Sequence, residues 1–580
     1  MPPGNRYGHS SAMEYFIGLI TSIAILVIET TILVFNMDII KVYSINEFFH
    51  NSLKLAIVCT YIVTLFIIPA IISWSTDAAK SIASIYKRYA IMSLASVNEE
   101  SIRKKVSITF VLISVSLLLM MLSIVYRKFL LSLTSLIPLT LFVFMLLKPI
   151  FDVKQHSKRI DAEIKWFMML LLIVEYVKCG IDFITKKLDK SKLLKAISRE
   201  LNVIKRDEMI YFQSYVEALI QRAKITPNES LRRLLLGYAM RLREGGDTVS
   251  WLKTVLGEEL IRWEWETKIY SERVTFMLLQ IAIAIFVLIP TLVVAIPLIN
   301  PFTAILLMII ATPVLSIVAY ITRPKTLDKI NVFDVLNPLI ILVLASSLLF
   351  TFFSFHGIVM GWIIATIASL NTNRIVKEIR ILDEESLEIL KIVAELRKHG
   401  YEIPKALKII AQSSTVNAKT SRLLEHVLSL VETGHEFSEA IATLSSPSFQ
   451  FNFIIFLLGV MYESGGGDEE AIQMIYEYLY RYRAYEENIK KASRIFELFT
   501  FVNLGIILWI WRGLKQLYSS SLYQFIGVAS ITSGAVAIMI IVALIGYSIT
   551  SSIIRYGIPV LETAKSISMA LIALVIASLL

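Results

Sequence analysis

Apolar runs alternate with two long polar segments along this chain. A spanning helix takes about 20 apolar residues, and runs near that length lie at 15–35, 55–74, 106–126 and 129–147. A polar segment follows at 148–275. Four more runs come next, at 276–296, 302–322, 336–353 and 357–370. The second polar segment is 371–498, and the chain closes with runs at 499–511, 526–549 and 559–580. The expectation is an all-α polytopic membrane protein with about 11 transmembrane helices. The shortest runs, 357–370 and 499–511, sit against polar helix, and 499–511 can extend upstream into it. Pro69, Pro138, Pro290 and Pro313 fall within spans, where they kink helices.

Within the polar segments the period is helical. Leu390, Val393, Ala394 and Leu396 recur at threes and fours until Gly400. Pro404 can open the next helix, with Ala406, Leu407 and Ile410 on one face. Leu424, Val427, Leu428 and Val431 make another, stopped by Gly434. Each segment reads as a bundle of short helices punctuated by glycine.

The two segments are also similar to each other. Gly245-Gly246-Asp247 opens a polar helix, and so does Gly465-Gly466-Gly467-Asp468. Nineteen residues beyond each Asp stand Glu266 and Glu487, and 26 beyond stand Arg273 and Arg494. Upstream, Glu175 to Gly180 aligns with Glu395 to Gly400. The offset is 220 at the first Gly and 221 at the Asp, so about one indel separates two copies of a module. The expected organisation is an N-terminal four-span region at 1–147, helical module 1 at 148–275 and a four-span region at 276–370. Helical module 2 follows at 371–498, then a C-terminal membrane region of about three spans at 499–580.

Composition supports many spans. Apolar residues make up 56% of the chain and charged residues 18%, with a mean hydropathy of +0.68. The net charge of +10 would suggest nucleic acid in a soluble protein. Here it reports inside-positive topology. With both polar segments inside, the outer loops hold only Lys41, Lys54, Arg127, Lys128, Arg512 and Lys515 of the 57 Lys and Arg. A multi-pass protein of the cytoplasmic membrane with both modules in the cytoplasm is therefore expected. The first run, 15–35, is long enough to span and lacks a cleavage site, so no signal peptide is expected. Cys59 and Cys179 do not make a disulfide framework, which fits a reducing interior. The charge is divided unevenly. Residues 148–275 hold 24 Lys and Arg against 18 Asp and Glu, and residues 371–498 hold 15 against 19. The runs Lys186-Lys187 to Lys195 and Asp383-Glu384-Glu385 concentrate it. They read as solvated faces, or as docking surfaces for a partner or for the other module.

The chemistry the sequence offers is sparse. No Gly-x-x-x-x-Gly-Lys-Ser/Thr phosphate loop and no His-Glu-x-x-His occurs. The seven His are scattered, and His426 and His435, nine residues apart, are not at a ligand spacing. No metal, no cofactor and no catalytic residue is expected. Gly465-Gly466-Gly467-Asp468 satisfies Gly-x-Gly-Asp, the motif of intramembrane aspartyl proteases. That chemistry needs a second Asp at a membrane edge, and here a polar Glu- and Tyr-rich helix follows. A glycine turn with an Asp cap explains the motif more simply. Glu29 is a carboxylate within a span, where burial is costly and a partner or a pathway is implied.

Paired polar helical modules, each with Glu-x-x-x-x-Gly near its start and Gly-Gly-Asp before its last helix, and each feeding a span, resemble the type II secretion protein F family. The match covers about 160–296 and 377–511, and the extra spans look more like the archaeal pilus and archaellum platforms. The resemblance implies a non-enzymatic platform that couples a cytoplasmic hexameric secretion ATPase to insertion of pilin or prepilin-like subunits into a filament. Membrane lipid and a second copy in a homodimer are further implied partners, and nucleic acid is not. It places the ATPase contact at Gly245, Gly246, Asp247, Gly466, Gly467 and Asp468. Glu175, Gly180, Glu395 and Gly400 are assigned to module packing. The rival reading is a secondary transporter with cytoplasmic regulatory modules, whose repeats would lie among the spans instead.

Overall fold

A computed structural model describes residues 84, 86–94, 116, 129–212, 214–295, 301–323, 326–465, 469–518 and 533–579. Those residues are helical and loop, with no strand among them. They divide into two compact units, 1–161 with 217–236, and 162–216 with 237–580.

The polar segments form the helices that the periodicity predicts. Helix α1, Phe129–Tyr176, runs 48 residues from the apolar run 129–147 without a break into the first polar segment. It is followed by α2 (Gly180–Ser191), α3 (Lys195–Asp207), α4 (Tyr215–Ile225), α5 (Glu229–Glu244) and α6 (Thr248–Arg273). Helix α6 continues through π-helical turns at Val274–Leu278 and Ala284–Leu288 to residue 295. The second turn lies directly upstream of Pro290. A proline ring clashes with the carbonyl four residues back, here Phe286, and a π-turn relieves that clash.

The apolar stretch between the segments comprises α7 (Pro301–Thr322), α8 (Val332–Phe353) and α9 (Phe355–Ala368). Helices α8 and α9 meet at Ser354, whose φ is 50°. They pack so closely that a Cβ on Gly361 would lie 2.5 Å from the Ser346 nitrogen, and one on Gly357 2.1 Å from the Leu349 oxygen. Helix α9 bends by 47° into α10 (Leu370–Lys398), which opens the second polar segment. Next come α11 (Ile403–Gln412), α12 (Ala418–Glu432), α13 (Phe437–Ala442) and α14 (Phe449–Glu463). Pro404 stands at the start of α11, and Gly400 (φ +79°) and Gly434 (φ +93°) lie just beyond α10 and α12. Helix α15 (Glu469–Tyr518) runs 50 residues and carries the short apolar run 499–511 as the continuation of a polar helix. Helices α16 (Ser533–Tyr556) and α17 (Thr563–Leu579) close the chain.

Five of these helices are long and apolar enough to cross a membrane: Thr248–Val293, Pro301–Thr322, Val332–Phe353, Glu470–Gly513 and Ser533–Tyr556. The bent pair Phe355–Ala368 and Leu370–Lys398 makes a sixth if it is one span. The count of 11 drawn from hydropathy is not reached among the described residues. The expected spans at 15–35 and 55–74 lie outside them, as does 106–126 apart from residue 116. The expected span at 357–370 is a helix of only 14 residues, and the terminal run holds one of 17.

In the first unit, Asn228 anchors the start of α5. Its side chain accepts from the Leu231 amide at 2.8 Å and donates to Asp161 at 2.6 Å. The second unit has a polar-segment core and an apolar core. In the former, α14 is buried on all sides from Phe449 to Met461, and Trp166 to Val174 of α1 are buried as well. Trp166 packs edge-on to Phe449 at 5.3 Å and Phe453 at 4.9 Å. One core is thus shared by residues of both polar segments. In the apolar core Tyr547 of α16 touches Phe286 at 5.0 Å and Phe496 of α15 at 5.3 Å. Gly546 makes room there, since a Cβ would lie 2.5 Å from the Phe286 ring.

Candidate functional site

The turn at Gly245-Gly246-Asp247 is built as its residue types require. Gly245 has φ +68°, a conformation that glycine adopts without strain. The Asp247 carboxylate accepts from the amides of Val249 at 3.0 Å and Ser250 at 3.2 Å, which caps α6. The Ser250 side chain, together with these amides, holds the Asp247 carboxyl below its ordinary range. Glu175 braces the turn from behind. It accepts from the Tyr238 hydroxyl at 2.6 Å and from the Thr248 hydroxyl at 2.9 Å. Burial, with Glu175 next to it, pushes the Tyr238 phenol up. Gly180, with φ +72°, begins the following helix.

Gly465 has φ +110°, while Gly466, Gly467 and Asp468 lie outside the described residues, as does Glu29. Glu395 is exposed rather than packed like Glu175. The reason is chemical. At an offset of 221, Tyr238 and Thr248 align with Gly459 and Glu469, so the two hydroxyls that hold Glu175 have no counterpart.

Two other pairs of residues, not singled out by the sequence pattern, occupy matching positions. Glu163 accepts from the Ala196 and Ile197 amides, both at 2.9 Å, at the start of α3. Glu385 accepts from the Asn417 amide at 2.9 Å and from the Thr420 hydroxyl, at the start of α12. Two residues before each Glu is an Asp that grips the cap of a later helix. Asp161 takes Asn228, and Asp383 takes the Ser448 hydroxyl at 2.5 Å. Ser448 caps Phe451 as Asn228 caps Leu231. The Asp-x-Glu pairs stand 222 residues apart, and that repetition was the available signal.

Part of each charged run is paired within the chain. Lys187 reaches Glu436 at 2.9 Å and Glu463 at 2.7 Å. Lys190 reaches Glu436 at 3.0 Å and Glu439 at 3.1 Å. The lysines hold the Glu436 carboxyl down at about 2. In the acidic run, Asp383 holds the Ser448 cap, Glu385 binds the start of α12, and Glu384 pairs with Arg380 and Arg483. Beside the two-lysine clasp, the Cys179 thiol lies 3.9 Å from the Ser464 carbonyl, one residue before Gly465.

The last helices of the two polar segments also meet. Trp263 of α6 stacks on Tyr482 of α15, with ring centres 4.3 Å apart. Lys165 is buried against them, its Nζ 4.1 Å from the Trp263 ring centre and 4.8 Å from that of Tyr482. Burial lowers the Lys165 amine to about 7 against the pull of Glu486, Glu266 and Glu259. Among the described residues no group of three or more His, Cys, Asp or Glu is arranged to hold a metal.

Compared with known families, residues 389–510 match Type II secretion system (T2SS), protein F. The matched stretch begins in α10, contains α11 to α14 and ends inside the apolar part of α15. It is roughly a fifth of the chain. No curated protein and no solved structure matches the chain.

Proposed function

We propose that this chain, which carries a type II secretion system protein F domain at residues 389–510, is the integral membrane platform of a type IV pilus-like assembly machine. The observation that carries the reading is the placement of that domain. Its bundle does not end on a linker but runs into the membrane along one unbroken helix, α15. Helix α6 leaves the first polar segment in the same way. The two helices touch at Trp263 and Tyr482 in their polar parts, and Phe286 and Phe496 both contact Tyr547 further on. A push on the polar bundle is thus delivered to the spans as motion of a rigid helix pair.

In this reading the polar segments are two copies of one module, both cytoplasmic. The matching Asp-x-Glu caps and the repeated Gly-Gly-Asp sequence support the duplication. A cytoplasmic hexameric secretion ATPase drives the platform through the two turns, Gly245-Gly246-Asp247 and Gly466-Gly467-Asp468. The platform, working as a homodimer, moves pilin-like subunits from the bilayer into the filament. The extra spans favour an archaeal pilus or archaellum. No step requires this chain to break or form a covalent bond. The test is co-purification of the full-length chain with the secretion ATPase encoded beside its gene, at low and high salt. Salt-sensitive binding that Asp468→Arg and Asp247→Arg weaken is expected. Retention of neither protein by the other would overturn the platform reading.

A further inference from the structure

The loop between α7 and α8 is pinned to the second polar bundle at a site that none of the foregoing function uses. The Lys329 amide donates to the Pro447 carbonyl at 3.0 Å. The Asp328 carboxylate accepts from the Phe449 amide at 3.1 Å. One residue earlier, the Ser448 hydroxyl donates to Asp383 of α10 at 2.5 Å. Two carboxyls from different elements therefore converge on adjacent residues at the first turn of α14. They border a cavity of about 90 Å³. In the matching cap of the first polar segment, the Asn228 amide reaches Ser157 and one carboxylate, that of Asp161.

Among the described residues, no Lys, Arg or His lies within ion-pair distance of either Asp328 or Asp383. The charges around them are engaged elsewhere. On the loop itself, Arg323 donates to the carbonyls of Ile553 and Arg555, and Lys329 is exposed. From α10, Arg380 and Glu384 pair with each other, and Arg483 of α15 joins them. From α16, Arg555 pairs with Glu562 and leaves Tyr556 beside it. Helix α15 adds Lys490, Glu486 and Tyr482, whose hydroxyl donates to Glu486 at 3.3 Å. Lys195 of α3 faces Lys329. Helix α14 contributes no charge to the cavity, only Gln450.

We propose that Asp328 and Asp383 form a proton-binding joint, in which a proton held by the pair keeps the 326–331 loop docked on α14 and loss of that proton releases it. Two neighbouring carboxyls drawn partly out of water do not both ionise cheaply. Burial, followed by the nearby Glu486 charge, raises Asp328 to about 6, and burial together with the Asp328 charge raises Asp383 well above its ordinary value. The sign follows. Both carboxyls bind protons more tightly when the loop is docked, so docking is favoured in acid and weakens as pH rises from the usual carboxylate range through about 6, with Asp383 adding to the loss. Both residues lie outside the apolar spans, at the point where the loop joining two spans meets the family-matched bundle. The joint stands on this geometry and does not depend on the filament reading.

The test is amide hydrogen exchange of the full-length chain in lipid nanodiscs from pH 4.5 to 8.5, corrected for intrinsic exchange. Protection at 328–331 and 449–451 is expected to fall at least tenfold across that range, with 455–461 unchanged. Asp328→Asn or Asp383→Asn should hold the loop docked and reduce the change to under twofold. Glu486→Gln keeps both carboxyls and should move the midpoint down in pH, because Glu486 raises both. Flat protection in the parent chain would overturn the joint, as would a slope that survives in both Asn variants. Replacing sodium and potassium by N-methylglucamine at pH 7.5 should change nothing. Protection that followed the alkali cation would overturn the joint by assigning the site to a metal cation.

Discussion

The clasp between α2 and the α13–α14 region offers a sharp test of how the polar segments hold together. Lys187 is the centre of it. Its side chain is 11% exposed and lies within 3 Å of two carboxylates, Glu436 at 2.9 Å and Glu463 at 2.7 Å, the latter 14% exposed. A fully exposed pair would contribute at most about 1 kcal/mol, and stranding a fully buried charge would cost about 3–5 kcal/mol. This pair sits between those limits. Lys187→Ala should destabilise the chain by about 2 kcal/mol, the scale of a charge-assisted hydrogen bond. Most of that arises from Glu463, because Glu436 is 39% exposed and keeps Lys190. The assay is fluorescence-detected unfolding of the full-length chain in detergent, with Lys187→Ala, Glu463→Ala and the double variant closing a cycle. A coupling energy of about 1.5 kcal/mol is expected at neutral pH. The Lys190 contribution should disappear above about 0.5 M salt while most of the Lys187 coupling remains. Because Glu436 is held at about 2, below its ordinary value, its share is present above the usual carboxylate range and is lost as pH falls toward 2. A coupling below about 0.5 kcal/mol would refute the reasoning and leave the aromatic contacts of Trp166 and Trp263 as the main link between the two segments.

Three further outcomes follow from single residues. Asp247→Ala removes acceptors for the Val249 and Ser250 amides, so amide exchange at 248–251 should quicken several-fold while 256–270 stays protected. Gly361→Ala sets a methyl group 2.5 Å from the Ser346 backbone, and the α8–α9 hairpin should lose about 1–3 kcal/mol of packing. A disulfide engineered across 346 and 361 neighbours should form more slowly in that background. Lys165 titrates at about 7 in the folded chain and near its ordinary value when unfolded, so the unfolded state binds the extra proton between those limits. Stability should therefore rise from pH 7 to 10, and Lys165→Met should flatten the rise. A pH slope unchanged in Lys165→Met would show that Lys165 is not its source.

Much of the architecture was legible in the chain because it depends on local rules. Periodicity located α10 to α12, and glycines that needed positive φ marked their ends at Gly400 and Gly434. The Asp cap after a glycine turn was readable at 247 for the same reason. The polar-to-apolar passage in α15 was visible as a short run abutting polar helix. What sequence could not decide were contacts between distant parts. An excess of Lys in one segment and of Glu in the other allowed either an external partner or each other, and only the fold set Lys187 between Glu436 and Glu463. Aligning Glu395 with Glu175 was sound as sequence, yet a carboxylate's role is set by the donors folded around it, and only Glu175 has Tyr238 and Thr248. Helix α14 is apolar enough to suggest membrane, and its burial beside Trp166 places it in a bundle core instead. Local propensity and hydropathy are properties of neighbours in the chain and are therefore written in it. Which charge meets which, and which apolar face is covered, are properties of neighbours in space, fixed only when the helices pack.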